Sequence, residues 1–320
     1  MRRLRALLAI VLVGAVSLFV AFGGCASFAA APDGVDAAEA SVEAATPETG
    51  VDAASPHCDP AKPFEAPRPV EGIDGVGRSQ ADIRLSGDER DAFFVAEDAG
   101  LFADIFRASR ATVQEPFAGV TRVVELNSLE SEDAPSVSAD LLAIVFSSAR
   151  GGNNDLWYSS RQSTLTQWTE PAPIALVNSN AGENDPFLTA SGDELWFTSQ
   201  RDGQDDIFVS KKVGNSFAAP AKVEELSSPE SDQAPVLSRD GLVVYWQSVR
   251  NDDGAALGKG DVFVATRSSA TSPFGPYRRV SELNTAFKEK PNWLSPDLCR
   301  LYFHTDRTGV SRVYVAERKP

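Results

Sequence analysis

The fold is decided by a phrase whose clearest copy reads Leu237-Ser238-Arg239-Asp240-Gly241-Leu242-Val243-Val244-Tyr245-Trp246. Four further copies of this pattern, a small hydroxyl residue followed by a turn and an aromatic segment, begin at Leu85, Val137, Leu188 and Leu294. The hydroxyl residues are 86, 138, 189, 238 and 295, so successive copies are 52, 51, 49 and 57 residues apart. A regular period of this size indicates a solenoid, a propeller or another repeat array.

Each copy contains four short segments rich in Val, Ile, Phe, Tyr and Trp and bounded by turn residues, which is the pattern of β-strands. Four strands in roughly fifty residues are typical of a propeller blade. The second segment has bulky residues in succession, as in Phe93-Phe94 and Tyr302-Phe303. Such residues face opposite sides of a sheet, so both sides need cover. The sequence therefore predicts an all-β fold, a five-bladed β-propeller of four-stranded blades, with a right-handed solenoid as the second choice.

The two ends of the repeat region predict how the ring closes. The fifth copy ends at Pro320 without a fourth segment, whereas the stretch 64–70 precedes the first copy and resembles the fourth segment at 217–223. Closing a ring removes exposed sheet edges, which are otherwise sites of unwanted pairing. We expect the N-terminal strand, within 64–73, to pair with the last blade, so that the propeller spans 63–320.

The cysteines support the same closure. The chain has three: Cys25, Cys58 and Cys299. Cys58 lies six residues before the closing strand, and Cys299 lies in the blade that this strand should join. We predict a Cys58–Cys299 disulfide that locks the ring, with two unrelated buried thiols as the alternative.

The N-terminus has the features of an export signal. Three arginines precede an apolar run over residues 6–22, and Gly23-Gly24-Cys25 follows. This ending resembles the lipobox of bacterial lipoproteins, which implies a signal peptide over 1–25 and lipidation of Cys25. Ordinary cleavage nearby and retention as a membrane anchor are the alternatives. Residues 26–62, rich in Ala, Pro and acids, are predicted to be a flexible tether. The expected location is the cell envelope, on an outer-membrane anchor facing the periplasm or the cell surface.

The charge of the chain limits its partners. Its 45 acidic and 30 basic residues give a net charge of −15, which argues against nucleic acid, because binding to phosphates relies on cationic side chains. Solubility explains the acidity most simply, and a cationic partner is the sharper alternative. We expect a monomer that touches a membrane only through its N-terminal lipid anchor.

Two copies of the phrase carry a family resemblance. Leu237-Ser238-Arg239-Asp240-Gly241 with Tyr245-Trp246, and Leu294-Ser295-Pro296-Asp297 with Leu301-Tyr302-Phe303, resemble the TolB-type, WD40-like propeller repeat. The resemblance covers all five copies and implies a bacterial envelope protein that binds other proteins. TolB itself has six blades and an extra N-terminal domain, so this chain departs from it in blade number and in its predicted tether.

Acidic residues recur at the start of each first strand and in the turns after the second strands. In a propeller these segments meet on one face around the central channel. The sequence therefore predicts an acidic face, with these candidate residues: Asp82, Asp133, Asp185, Asp232, Glu289, Asp252 and Asp253. No cofactor is expected. Calcium is the alternative, since clustered oxygen ligands suit hard cations. The acids that open the third segments are interpreted as turn-stabilising groups instead.

Enzymatic chemistry has little support in the sequence. Two histidines, His57 and His304, do not suffice for a zinc site or a serine triad, and the recurring serines are interpreted as turn formers. The leading hypothesis is a non-enzymatic, envelope-tethered scaffold that binds proteins or cell-wall glycan through its acidic face. The alternative is a carbohydrate-active hydrolase that uses two channel carboxylates as acid and base.

Overall fold

Each of the five sequence repeats forms one antiparallel sheet in the computed structural model, and the sheets are the blades of a β-propeller. The structure describes residues 57–97, 102–251, 254 and 258–319. The predicted signal peptide with Cys25, the tether up to residue 56, Asp252 and Asp253 lie outside the described residues. Within the described ranges, no helix is both long and apolar enough to cross a membrane.

The blades share one strand order from the channel outward. The innermost strands are β2 (Ser79–Leu85), β6 (Glu132–Val137), β10 (Glu183–Leu188), β15 (Asp232–Leu237) and β19 (Glu289–Leu294). The second strands are β3 (Asp91–Glu97), β7 (Ala143–Ser148), β11 (Glu194–Ser199), β16 (Val243–Ser248) and β20 (Arg300–Thr305). The third strands are β4 (Ala103–Ser109), β8 (Asp155–Ser160), β12 (Asp206–Val213), β17 (Asp261–Thr266) and β21 (Arg312–Glu317). The outer strands are β5 (Ala118–Arg122), β9 (Ala172–Pro173), β14 (Ala221–Lys222), β18 (Arg278–Arg279) and β1 (Arg68–Pro69).

Two small elements complete the third blade and its exit. β13 (Ser216–Phe217) forms a hairpin with the end of β12, and a 3-10 turn covers Glu224–Leu226. The five innermost strands then form a ring. Each of them contacts the innermost strand of the next blade, and β19 contacts β2.

The ring closes as the sequence predicts. β1 pairs antiparallel with β21, with Arg68 opposite Val315, so the outer strand of the fifth blade comes from the N-terminal side of the chain. Cys58 and Cys299 form a disulfide with their Cα atoms 5.0 Å apart, which confirms the predicted pair. A structural disulfide indicates an oxidising, exported compartment.

The core lies between the blades. The second strands are buried on both faces, as the successive bulky residues predict, and the side chains of Phe94, Phe146, Phe197, Trp246 and Phe303 are fully buried. Burying one such side chain stabilises the fold by roughly 2–3 kcal/mol, so the aromatic strand of each repeat holds its blade between two neighbours.

The recurring serines are turn formers, as predicted. The hydroxyl of Ser238 donates to Asp240 Oδ1 at 2.6 Å and accepts the backbone N–H of Val243 at 2.9 Å. Asp240 in turn accepts the N–H of Leu242 at 3.0 Å. Ser86, Ser138 and Ser295 make the same turn. These first-to-second-strand turns define one end of the propeller, here called the hairpin face: residues 86–90, 138–142, 189–193, 238–242 and 295–299.

The opposite end is here called the link face. It consists of the turns from second to third strand and the links from each outer strand to the next innermost strand. The name is used here for the following described residues of these loops: 102, 127–131, 149–154, 178–182, 200–205, 227–231, 249–251, 284–288 and 306–311.

Candidate functional site

A bulge in the innermost strands shapes the channel. The pairing of each innermost strand with its neighbour shifts register after its first residues. In four blades the bulged residue has a left-handed backbone, with φ between 49° and 54°, at Asp82, Ala134, Asp185 and Ala234. Left-handed backbone is uncommon outside glycine and is tolerated best by Asp and Asn. These four residues line the narrow centre of the channel, so the bulge brings one position from each of these four blades to the axis.

Lys290 occupies the centre of the channel between two of the predicted acids. Its ammonium pairs with Asp185 and lies 3.5 Å from Asp82 Oδ1. Asp82 also accepts a hydrogen bond from Asn292 Nδ2 at 3.2 Å, and Asp185 accepts one from the hydroxyl of Thr198 at 3.3 Å. The structure thus brings Asp82 and Asp185 together on one cation.

The protonation states follow from this arrangement. Burial raises the pKa of Asp82, but Lys290 and then His304 lower it. Together the lowering effects are larger, so the pKa stands at about 2. Burial lowers the pKa of Lys290, but the charges of Asp185 and Asp82 raise it more, so its pKa stands above the ordinary lysine value. At neutral pH the cluster is therefore a buried ion group with a charged lysine and a charged Asp82.

His304 contributes to the cluster as a neutral ring. Burial lowers its pKa to about 3, although Asp82 raises it. The backbone N–H of Asp82 donates to His304 Nδ1 at 3.3 Å, which is the hydrogen bond that an unprotonated Nδ1 accepts. The 3.4 Å approach of the ring to the Asp82 carboxylate is therefore not an ion pair at neutral pH.

Asp133 is the third predicted acid at the channel, and its state differs from that of the other two. Burial raises its pKa to about 7, with the Asp82 charge raising it further, while Lys290 opposes the shift. Among the described residues, its half-buried carboxyl has no ion pair or hydrogen bond. Asp133 therefore titrates close to neutral pH, whereas the neighbouring Asp82 does not.

The channel centre holds no free space. The gap between Asp82, Asp185 and Lys290 leaves no room for a water molecule. No group of three or more His, Cys, Asp or Glu side chains in the described parts of the chain is arranged to hold a metal ion. The ammonium of Lys290 thus occupies the position between the acids that a metal ion would need.

Asp232 and Glu289 do not lie on an exposed acidic face, which corrects the sequence-based expectation for these two residues. Both are 0% exposed. Glu289 accepts hydrogen bonds from the hydroxyls of Thr285 at 2.6 Å and Thr305 at 2.9 Å, and pairs with Arg307 at 3.3 Å. They occupy a position two residues before the bulged one, where the side chain turns into the blade.

The same buried latch recurs in four blades. In each, an acid at the start of the innermost strand pairs with an arginine that follows the second strand, and this arginine donates to a backbone carbonyl of the preceding link. The pairs are Glu132–Arg150, Glu183–Arg201, Asp232–Arg250 and Glu289–Arg307. Buried carboxylates of this kind are bound on all sides, so their role is structural and links one blade to the next.

Three residues of the site were missed from the sequence: Lys290, His304 and Arg84. Aligning the copies on their hydroxyl residues puts Lys290 in the column of Asp133, and Arg84 two positions before the hydroxyl residue Ser86. That alignment is the signal that could have identified a cation facing the acids. His304 carries no such signal, because its partner Asp82 is 222 residues away.

Comparisons with known proteins agree on the fold. No protein-family model matches the chain, and a search of curated proteins finds no match. A putative glycoside hydrolase from Parabacteroides distasonis is similar in structure, with 12% identity over 82% of this chain and 96% of that chain, at a TM-score of 0.53. An α-L-arabinofuranosidase from Podospora anserina, in complex with cellotriose, shares 13% identity over 81% of this chain and 97% of that chain, at a TM-score of 0.50.

TolB from Acinetobacter baumannii is also similar, with 16% identity over 82% of this chain and a TM-score of 0.48. The chain spans only 63% of the length of that TolB. TolB proteins are thus among the structural neighbours, as the sequence resemblance implies. Likeness at this level of identity shows the fold, and the fold of this chain is that of a five-bladed β-propeller.

Proposed function

We propose that this protein is a non-enzymatic binding module of the cell envelope, held by a lipid on Cys25, and that a partner protein docks on its link face. The observation that carries the proposal is a set of exposed apolar side chains on the described loops of that face. Its most exposed member is Leu129, at 86%. The others are Phe102, Val249, Phe287 and Val310. Exposed apolar side chains gathered on one face favour a protein contact.

Charge on the same loops selects the chemistry of the partner. Glu130, Asp202 and Glu230 are exposed on the link face beside the apolar side chains. Interfaces combine an apolar centre with a polar rim, and complementary charge selects the partner. The expected partner is therefore a protein with an apolar patch surrounded by basic residues.

The channel supports a binding role over catalysis. A hydrolase needs two accessible carboxyls with a sugar between them. Here Lys290 lies between Asp82 and Asp185, and no space is left for a substrate. Asp82 and Asp185 are engaged with Lys290 and link their blades across the channel.

Cross-linking and pull-down from the native envelope test the proposal. The double variant Leu129→Ser/Phe287→Ser should lose the captured partner, because both apolar contacts are removed from the link face. The matched control is Leu165→Ser, which removes an apolar side chain that is 96% exposed but lies between β8 and β9, away from that face. Equal capture by the double variant and the control would contradict the proposal. If the protein is retained on purified cell-wall glycan and captures no protein, its partner is glycan rather than a protein.

A glycoside hydrolase is the second candidate, and one observation favours it. Asp82, Asp133 and Asp185 converge on the channel, and Asp133, with its pKa raised to about 7, could serve as an acid or base. One similar structure is an α-L-arabinofuranosidase, so aryl arabinofuranosides are suitable probes. Turnover that disappears in Asp133→Asn and Asp185→Asn, with folding intact, would establish this alternative. Turnover that survives both substitutions excludes these carboxylates as catalysts for that substrate. Absence of turnover by the wild-type protein excludes them as well.

A further inference from the structure

The hairpin face has a cavity at the end of the channel, opposite the proposed docking face. Its volume is about 420 Å³, within the range of small-molecule sites, which is roughly 300–1,000 Å³. It is lined by the last residues of the innermost strands and by the serine turns that follow them. The ring of blades thus forms a funnel that opens on this face and ends at the closed channel centre.

Apolar side chains form slightly more than half of the walls of this cavity. Phe187 and Trp293 come from β10 and β19 and line it together with the leucines that end the innermost strands. Trp293 packs edge-on against Tyr302, with ring centroids 5.7 Å apart, which fixes its ring. Two aromatic side chains on separate blades offer surfaces for a flat or branched apolar group.

Arg84 lies where the cavity meets the channel, and it lines both. Its side chain is deeply buried, with a residue exposure of 5%. The guanidinium lies over the Phe187 ring at 5.1 Å and donates one hydrogen bond, from Nη2 to the carbonyl of Pro186 at 3.2 Å. Its Nε and Nη1 atoms have no acceptor among the described residues. Buried donors without a partner are rare in folded proteins, so these two invite an acceptor.

The channel acids do not supply that acceptor. Asp82 and Asp185 direct their carboxylates to Lys290, and Arg84 forms no ion pair with any described residue. Burial lowers the pKa of Arg84 to about 10, although both acids raise it, so the guanidinium stays charged at neutral pH. The cavity floor therefore carries a charged guanidinium, and its Nε and Nη1 groups have no hydrogen-bond acceptor among the described residues.

We propose that this cavity binds a carboxylate carried on an aromatic or branched apolar group, with the carboxylate at Arg84 and the apolar group between Phe187 and Trp293. A guanidinium matches a carboxylate with two parallel hydrogen bonds, which a neutral acceptor cannot equal. Three acids, Asp88, Asp91 and Asp140, also line the cavity. Asp88 and Asp140 are held by the serine turns and are exposed, so solvent and salt screen their charge. The site lies away from the link face, so the proposal stands independently of the partner proposed above.

Titration of the full mature chain with 3-phenylpropionate and with its neutral amide tests the carboxylate. Binding is followed by calorimetry and by the indole N–H signal of Trp293, which Trp293→Phe identifies. The acid should bind at least tenfold more tightly than the amide. Arg84→Met should remove that preference, whereas Arg90→Met, which removes an equal charge from an exposed residue of the hairpin face that does not line the cavity, should retain it. Equal affinity for acid and amide, or no binding of either at millimolar concentration, overturns the proposal.

A second variant covers the case in which Arg84→Met does not fold. Ala190→Trp places a bulky side chain at the cavity mouth and leaves Arg84 intact. It should abolish binding of the acid, and unchanged binding overturns the proposed location. N-acetyl-glycyl-phenylalanine, compared with the free acid, identifies the natural source. Tighter binding of the blocked dipeptide indicates a polypeptide C-terminus, and tighter binding of 3-phenylpropionate indicates a small free acid.

Discussion

Lys290 neutralises the buried carboxylates of the channel, so replacing it tests the charge balance of the site. In Lys290→Met, Asp82 and Asp185 lose their common cation, and we expect a loss of about 3–5 kcal/mol in the free energy of unfolding at pH 7. Urea unfolding measures it. The matched control is Lys211→Met, because Lys211 is exposed and lies 3.9 Å from Glu194, so its loss should stay within about 0.5 kcal/mol.

The loss in the free energy of unfolding caused by Lys290→Met should become smaller at lower pH. Lys290 keeps the pKa of Asp82 at about 2, and without it that pKa rises. Protonation then relieves the unpaired charge, so the deficit shrinks as the pH falls from 7 towards 4. A deficit that is independent of pH would mean that Lys290 contributes packing alone.

Asp133 should reduce stability at neutral pH. Its pKa is raised to about 7 in the folded protein, against 3.8 without the fold, so the folded state binds the proton more strongly between these values. The contribution of Asp133 to stability therefore falls as the pH rises from about 4 to about 7. Asp133→Asn removes this loss and should exceed the wild type by at least about 1 kcal/mol at pH 8, but not at pH 4. Thermal or urea unfolding at both pH values measures the difference.

At the residue scale, the sequence could predict which acids recur but not which of them face the channel. Asp82 and Asp185 reach the axis because a bulge places them in left-handed backbone. Asp232 and Glu289 stand two residues earlier in the repeat, where the strand directs them into the blade. Residues two apart in a regular strand face the same side, so the bulge between the two positions is what separates them, and composition carries no information about where that bulge lies.

The buried acid–arginine latch is the element that joins a blade to the preceding link. Glu183 accepts hydrogen bonds from the hydroxyls of Ser179 and Ser199 at 2.6 and 2.7 Å and pairs with Arg201 at 3.2 Å. Glu183→Ala leaves the arginine charge without a counter-ion, and we expect a loss of about 3–5 kcal/mol in the free energy of unfolding. Glu194→Ala, at a half-buried acid of the same blade, should lose less than about 1 kcal/mol. Similar losses for the two variants in urea unfolding would contradict the latch.

At the element scale, the sequence predicted four strands in each blade, and the structure confirms them. The outer strands are shorter than the predicted fourth segments, with two residues in four of the five blades. Proline explains part of this difference, because Pro69 and Pro173 lie within outer strands and Pro220 directly precedes one. A proline has no N–H for the sheet, so it is confined to strand ends and edges. The periodicity of the sequence predicts that the outer segments exist, and the prolines limit how far each outer strand pairs with the third strand.

For the whole molecule, the Cys58–Cys299 disulfide should raise stability through the unfolded state. It links residues 241 apart, and chain-entropy arguments give about 5 kcal/mol for a loop of this length. The double variant Cys58→Ser/Cys299→Ser should unfold at lower urea concentration by this order of free energy. Wild-type protein unfolded in the presence of reductant is the matched comparison. If reduction leaves the urea midpoint unchanged, the bridge does not constrain the unfolded chain.

The seam should nevertheless hold without the disulfide, because other contacts cross it. The backbone N–H of Cys58 donates to the carbonyl of Asp297 at 2.9 Å, and that of Val70 donates to Val313 at 3.0 Å. The guanidinium of Arg318 lies 3.7 Å above the Phe64 ring, and this ring packs against Tyr245 of the fourth blade at 6.1 Å. We therefore expect the reduced ring to stay closed, with faster hydrogen exchange confined to β1 and β21. Accelerated exchange across all five blades would instead show that the covalent link holds the ring together, since opening at the seam would then expose every sheet.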